Sequence, residues 1–101
     1  MKIKIGAHHY TVIYKELDDD GLLLRDKQEI HISSKLQGTE QFCTLIHEIF
    51  HCINNELGER EIEYLAQAMT QVLLDNPNIM TLHGHTPKEK KKIRKARRVK
   101  K

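Results

Sequence analysis

The amino-acid sequence predicts an α+β fold: a small N-terminal β-sheet, antiparallel or mixed, packed on two α-helices. Two observations carry this expectation. The first third alternates β-branched and aromatic residues with polar ones at a period of two, and residues 39–75 carry apolar side chains at three- and four-residue spacing. At 101 residues the chain has room for one domain with a modest core, which excludes a large enzyme with a deep cleft.

The strands come first. Ile3 and Ile5 alternate with lysines, and Tyr10, Val12 and Tyr14 alternate with Thr11 and Ile13 on the opposite face. Asp18, Asp19, Asp20 and Gly21 form a turn signal, after which Leu22, Leu23 and Leu24 are apolar but too short to type. Glu29, Ile30, His31 and Ile32 read as a further strand, with the isoleucines on one face and Glu29 and His31 on the other.

The helices follow. Thr39 is the expected N-cap of the first, whose apolar Phe42, Leu45, Ile46, Ile49 and Ile53 occupy one side of the wheel. Glu40, Thr44, His47, Glu48, His51 and Asn55 fall on the other side. Asn54, Asn55 and Gly58 mark its end. The second helix begins near Glu59, with Ile62, Leu65, Ala66, Met69, Val72 and Leu73 as its buried stripe. It stops before Pro77, because Asp75, Asn76 and Pro77 combine turn formers with a residue that disfavours helix in its predecessor. Residues 78–87 are irregular in character.

The net charge of +3 conceals a segregation. Ten of the seventeen Lys and Arg residues lie in residues 88–101, against Glu89 alone, leaving +9 there and −6 over residues 1–87. Residues 1–87 are therefore expected to form the domain, and residues 88–101, from Lys88 onward, a basic tail that is either disordered or a helical extension. No aromatic residue interleaves the tail charges, so any nucleic-acid binding by it is backbone-directed and salt-sensitive; an acidic protein partner is the other expectation. No run of about 18 apolar residues and no apolar leader segment appears, so no membrane partner is expected and the chain is read as a cytoplasmic protein. Cys43 and Cys52 lie nine positions apart on the first helix, roughly 13 Å along its axis, which exceeds the separation of about 7 Å that a disulfide bridges. Two reduced thiols agree with a cytoplasmic compartment.

The chemistry is concentrated in His47, Glu48, Ile49, Phe50 and His51, a His-Glu-x-x-His motif on a helix. Residues four apart stand one above the other on one helix face, so both imidazoles can bind one zinc ion at about 2.0–2.1 Å. Glu48, one step round the helix, borders the metal and can act as general base toward a zinc-bound water. The plain alternative is a pair of surface histidines on an amphipathic helix. A catalytic zinc site takes three protein ligands and one open position. Helical spacing places Glu59 and Glu63 on one face of the second helix, where either carboxylate could reach across, and periodicity leaves both open.

From Ile30 to Pro77 these motifs resemble the small zinc metallopeptidase-like proteins of the ImmA/IrrE type, and most closely the minimal phage and prophage versions called minigluzincins. The resemblance rests on the strand, the helix of His47, Glu48 and His51, the stretch Glu63, Tyr64, Leu65, Ala66, and an end of the form Val72, Leu73, Leu74, Asp75, Asn76, Pro77. It implies Glu63 as the third zinc ligand, with Glu59 as the alternative. It also implies that Glu29, Ile30, His31 and Ile32 form the edge strand beside which a polypeptide substrate lies as an added strand. Tyr64 departs from the family pattern, which often has a small residue there.

These readings converge on a zinc-dependent metallopeptidase that hydrolyses peptide bonds through a Glu48-activated water, in the host cytoplasm if phage-encoded. Tyr64, His83 and His85 are the candidate donors to the oxyanion that acyl transfer develops. The alternative is a non-catalytic module in which zinc fixes a small fold and the basic tail or the edge strand binds a partner.

Overall fold

The computed structural model describes residues 1–82; His83, His85 and the basic tail lie outside the described residues. The chain divides into two compact units, Met1–Thr70 and Gln71–Lys101. The expected boundary between residues 87 and 88 likewise falls outside the described residues.

The first unit is α+β, as expected. Four strands, β1 (Lys2–Ile5), β2 (His8–Lys15), β3 (Gly21–Leu24) and β4 (Glu29–Ser33), form a mixed sheet in the order β1-β2-β4-β3. β1 and β2 make an antiparallel hairpin joined by Gly6 and Ala7, and Gly6 takes the left-handed φ of 61° that such a tight turn requires. β3 and β4 pair antiparallel, whereas β2 and β4 run parallel, with Val12 opposite Ile30 and Tyr14 opposite Ile32.

Period-two alternation produces the core. Tyr10, Val12, Ile30 and Ile32 bury their side chains on one face, and Ile3, Ile5, Leu23, Leu36, Leu45 and Cys52 pack against them. Full burial of each large aliphatic side chain contributes about 1.5–3 kcal/mol. The triple leucine that was too short to type is β3.

Here one expectation fails. The strand of Glu29, Ile30, His31 and Ile32 is interior, hydrogen-bonded to β2 on one side and β3 on the other, and the sheet edges are β1 and β3. Pairing on both sides explains why His31 and Ser33 are buried even on the face opposite the isoleucines. β1, with Lys2 and Lys4, carries the charges that protect a sheet edge from further pairing.

Helix α1 (Gly38–Ile53) begins one residue before the expected cap: Gln37 is the N-cap, in extended conformation and without a side-chain cap, and Thr39 lies inside the helix. The Gln37 carbonyl accepts the first helical bond, from the Gln41 N–H at 2.8 Å. Asn54 ends the helix, its own N–H donating to the Phe50 carbonyl. Helix α2 (Glu59–Asp75) starts and stops where the turn residues predict, but its buried side chains are Ile62, Ala66 and Thr70. Leu65, Met69 and Val72, expected in the buried stripe, are exposed by more than a third. The helix rests on the narrow line i, i+4, i+8 in place of the full apolar arc. The second unit holds the end of α2 and a single helical turn, α3 (Ile79–Leu82), in the segment expected to be irregular. Among the described residues no helix is long and apolar enough to cross a membrane.

One contact locks α1 to the sheet edge. A methyl group added at Gly21, the first residue of β3, would come within 2.7 Å of Thr44 Cγ2 and 3.4 Å of the Glu48 side chain. Strand and helix approach so closely there that only glycine fits. Gly21→Ala is expected to destabilise the protein by about 1–3 kcal/mol in urea unfolding, the range for overpacking. Adding Thr44→Ser, which removes the opposing methyl, should recover most of that loss.

Candidate metal centre

Helix α1 carries His47 and His51 one turn apart, with ring centroids separated by 4.9 Å and ring planes inclined at 54°. Their Nε2 atoms point at each other across 3.2 Å. Five residues, 54–58, then reverse the chain. Asn54 Oδ1 accepts the Glu56 N–H at 3.0 Å, and α2 starts at Glu59. The reversal delivers Glu59 to the two imidazoles: its Oε1 lies 3.4 Å from His47 Nε2 and is in contact with His51 Nε2. The three donor atoms lie within 4.8 Å of one another.

The donor set fits a zinc-sized cation. Tetrahedral arms of about 2.0–2.1 Å place two donor atoms about 3.3 Å apart, and the nitrogen–nitrogen and one nitrogen–oxygen separation match that edge. Two imidazoles and a carboxylate suit zinc, and this ligand combination leaves a position open for substrate or water.

Glu63 lines the same cleft from one turn further along α2. Among the described residues no hydrogen bond or ion pair joins it to His47 or His51, since one helical turn carries it about 5.4 Å further along the axis. The structure thus brings together His47, His51 and Glu59 and leaves Glu63 on the adjoining wall. Tyr64 is 72% exposed and is not among the residues lining the cleft. His31 lies on the opposite face of the sheet from the buried isoleucines, where its Nε2 is 3.0 Å from Glu29 Oε1.

Glu48 departs from its expected place on the polar side of α1. It is the one buried residue of that helix, 7% exposed, on the line that also carries Leu45 and Cys52 to the core. Burial holds its carboxyl above the ordinary carboxylate value, and the charges of His47 and His51 offset that only in part. For Glu59 the balance is reversed: loss of solvation opposes ionisation, but His47 and His51 together hold its carboxyl below the ordinary value. The two carboxyls next to the imidazoles are pushed apart, one toward carrying a proton and one toward staying charged.

The end of α1 is held from outside. Arg25, just beyond β3, donates from a guanidinium nitrogen to the His51 carbonyl at 2.7 Å, satisfying one of the last-turn acceptors that a helix leaves open. The cleft itself has a volume of about 580 Å3, within the range of about 300–1,000 Å3 common for ligand sites. Sequence reasoning missed Gly21, Asp19, Asp20, Glu40, Thr44 and Gln67 as lining residues. For Gln67 a signal existed, since Glu59, Glu63 and Gln67 follow each other at four-residue spacing, and Glu40 and Thr44 share the polar face of α1 with His47; nothing local marks Asp19, Asp20 and Gly21.

A buried carboxyl with a raised pKa destabilises the fold once it ionises. Its cost is absent below the unfolded-state pKa, grows as pH rises toward the folded-state pKa, and is complete above it. In chelator-treated protein Glu48→Gln should therefore melt a few degrees higher than the parent at neutral pH. The difference should close as pH falls through the ordinary carboxylate range.

Comparison with known protein families, with curated proteins and with solved structures gives no match for this chain, so the case for a metal centre stands on these donors alone.

Proposed function

We propose that this chain is a zinc-dependent peptidase of the minigluzincin type, with His47, His51 and Glu59 holding the ion and Glu48 as general base. The observation that carries the proposal is the convergence of two Nε2 atoms and one carboxylate oxygen beside a buried glutamate. Glu59 takes the third position in this reading because its carboxylate is the one in contact with the histidines.

Zinc held there supplies a Lewis acid that polarises the substrate carbonyl and makes water nucleophilic near neutral pH. The protein supplies the rest. The Glu48 carboxylate takes a proton from the attacking water and returns it to the leaving amine nitrogen, a task its raised pKa suits. Thr44 and Gln67 bring a hydroxyl and an amide to the cleft, neutral donors for the developing oxyanion. β3 is the sheet edge nearest the cleft, with Gly21 among the lining residues, and an extended polypeptide adding beside it would lie along the site. Free thiols at Cys43 and Cys52 support a cytoplasmic setting, or the host cytoplasm for a phage-encoded chain.

A second reading, a zinc-stabilised interaction module that cleaves nothing, draws support from the exposure of Tyr64 away from the cleft. It predicts that chelation unfolds the protein while no peptide is hydrolysed, and it leaves partner binding to the tail.

Elemental analysis should find about one zinc per chain, lost in His47→Ala and retained in Glu48→Gln. Glu48→Gln should lower kcat by about 10²–10⁴, the usual contribution of a general base. Native protein without metal would sink the proposal. Glu59→Gln and Glu63→Gln separate the two ligand sets: the first should weaken zinc binding by at least tenfold and the second should leave it near the parent value. The opposite result would assign the third position to Glu63, as the family resemblance implies.

A further inference from the structure

The two edges of the sheet are unlike. β1 carries Lys2 and Lys4, whereas β3 consists of Gly21, Leu22, Leu23 and Leu24, without a charge. A charge-free apolar edge is open to pairing with another strand.

The register identifies the atoms that this edge offers. The Ser33 N–H donates to the Asp20 carbonyl at 2.8 Å, and that pair extends the β3–β4 ladder, in which Gly21 faces Ile32 and Leu22 faces His31. Between antiparallel strands the bonded pairs alternate with unbonded ones. Leu22 and Leu24 therefore bond to His31 and Glu29, while Gly21 and Leu23 turn N–H and carbonyl away from β4. The other side of β4 agrees. The Thr11 N–H donates to the Gln28 carbonyl at 3.0 Å, so Gln28, Ile30 and Ile32 serve β2 and the residues between them serve β3. Among the described residues nothing bonds to the outward groups of Gly21 and Leu23.

An extended polypeptide that takes up those groups has its own side chains sorted by them. Its residues opposite Gly21 and Leu23 face α1, because Gly21 lines the cleft and Leu23 packs on the core. The residue between them, opposite Leu22, faces the other way. There Leu22 is 43% exposed, in one cross-strand row with His31 and Ile13. Neighbouring side chains on one face of a strand pair stabilise it when both are apolar.

We propose that Leu22 is a specificity-determining residue: the backbone of Gly21 and Leu23 holds the substrate in register, and the substrate residue beside Leu22 is aliphatic or aromatic. The proposal rests on the peptidase reading of the cleft. Leu22 lies on the face of β3 away from Glu48, so it acts on substrate binding and leaves the metal ligands alone.

The test uses the full zinc-loaded chain and fluorogenic alanine-rich peptides in which one leucine, and separately one backbone N-methyl group, is moved along the sequence. N-methylation should slow cleavage at two residues flanking a tolerant one, the spacing of Gly21 and Leu23. Leucine at that tolerant residue should raise kcat/KM about tenfold, mainly through KM, the scale of an apolar subsite. In Leu22→Ser this leucine gain should fall to near one with zinc content at the parent value. Should Leu22→Ser fail to fold, Leu22→Thr, which keeps a strand-forming side chain, takes its place. A leucine gain that survives the substitution, or N-methyl sensitivity without alternation, would overturn the inference while cleavage itself leaves the peptidase reading intact. So would a dimer in sedimentation velocity that Leu22→Ser dissociates, since the edge would then belong to a second copy. If no peptide is cleaved the peptidase reading fails, and fluorescence anisotropy of the same peptides on the Glu48→Gln chain decides the rest. A leucine gain in affinity that Leu22→Ser abolishes would uphold the role of Leu22, and binding indifferent to Leu22, or none, would overturn it.

Discussion

Glu48 is a carboxylate placed where a small protein ordinarily puts an aliphatic side chain, and much of the first unit is arranged around that placement. It lies on the line of α1 that carries Leu45 and Cys52 into the core, and β3 closes over it at Gly21. A side chain larger than hydrogen at position 21 would press on Thr44 and Glu48, so strand and helix are held at a spacing that only glycine permits. The same spacing shields the carboxyl from water and raises its pKa. A domain with so few fully buried residues gives up part of its stability for this group.

Around that buried carboxylate the polar groups separate by element. α1 contributes two imidazoles and the buried carboxyl, the start of α2 contributes an exposed carboxylate, and the connection before β3 adds two aspartates. The histidines are the rigid part. Four residues of helix set their distance, and the Arg25 guanidinium on the His51 carbonyl ties the end of that helix to the hairpin of β3 and β4. The acidic partner is the adjustable part, because it arrives through a five-residue reversal and stands 72% exposed.

What the sequence made legible follows from the range of the interactions involved. Period-two alternation at Tyr10, Val12, Ile30 and Ile32 and the four-residue step from His47 to His51 are local, and each is visible in a short window. The order of the strands is not local. Nothing in Glu29, Ile30, His31 and Ile32 says that both of its edges are paired, and β3 was hidden in three leucines that fit either helix or strand. The burial of Glu48 was illegible for a related reason. On a helical wheel it sits at the border between Thr44 and His51 on one side and Leu45 and Cys52 on the other, and the close approach of Gly21 from a distant strand covers it. Likewise the choice between Glu59 and Glu63 depends on where the chain finishes reversing after Asn54, a matter of a single turn.

The contrast between a half-buried imidazole pair and an exposed carboxylate bears on exchange kinetics. An ion held by these three donors would be met on one side by half-buried imidazoles and on the other by a carboxylate that faces solvent. Were an ion bound there, Glu59 would be the donor most open to water and to a competing chelator, while His47 and His51 would hold it from α1. Residence time of such an ion would then respond more to substitutions around Glu59 than to those around the two half-buried imidazoles.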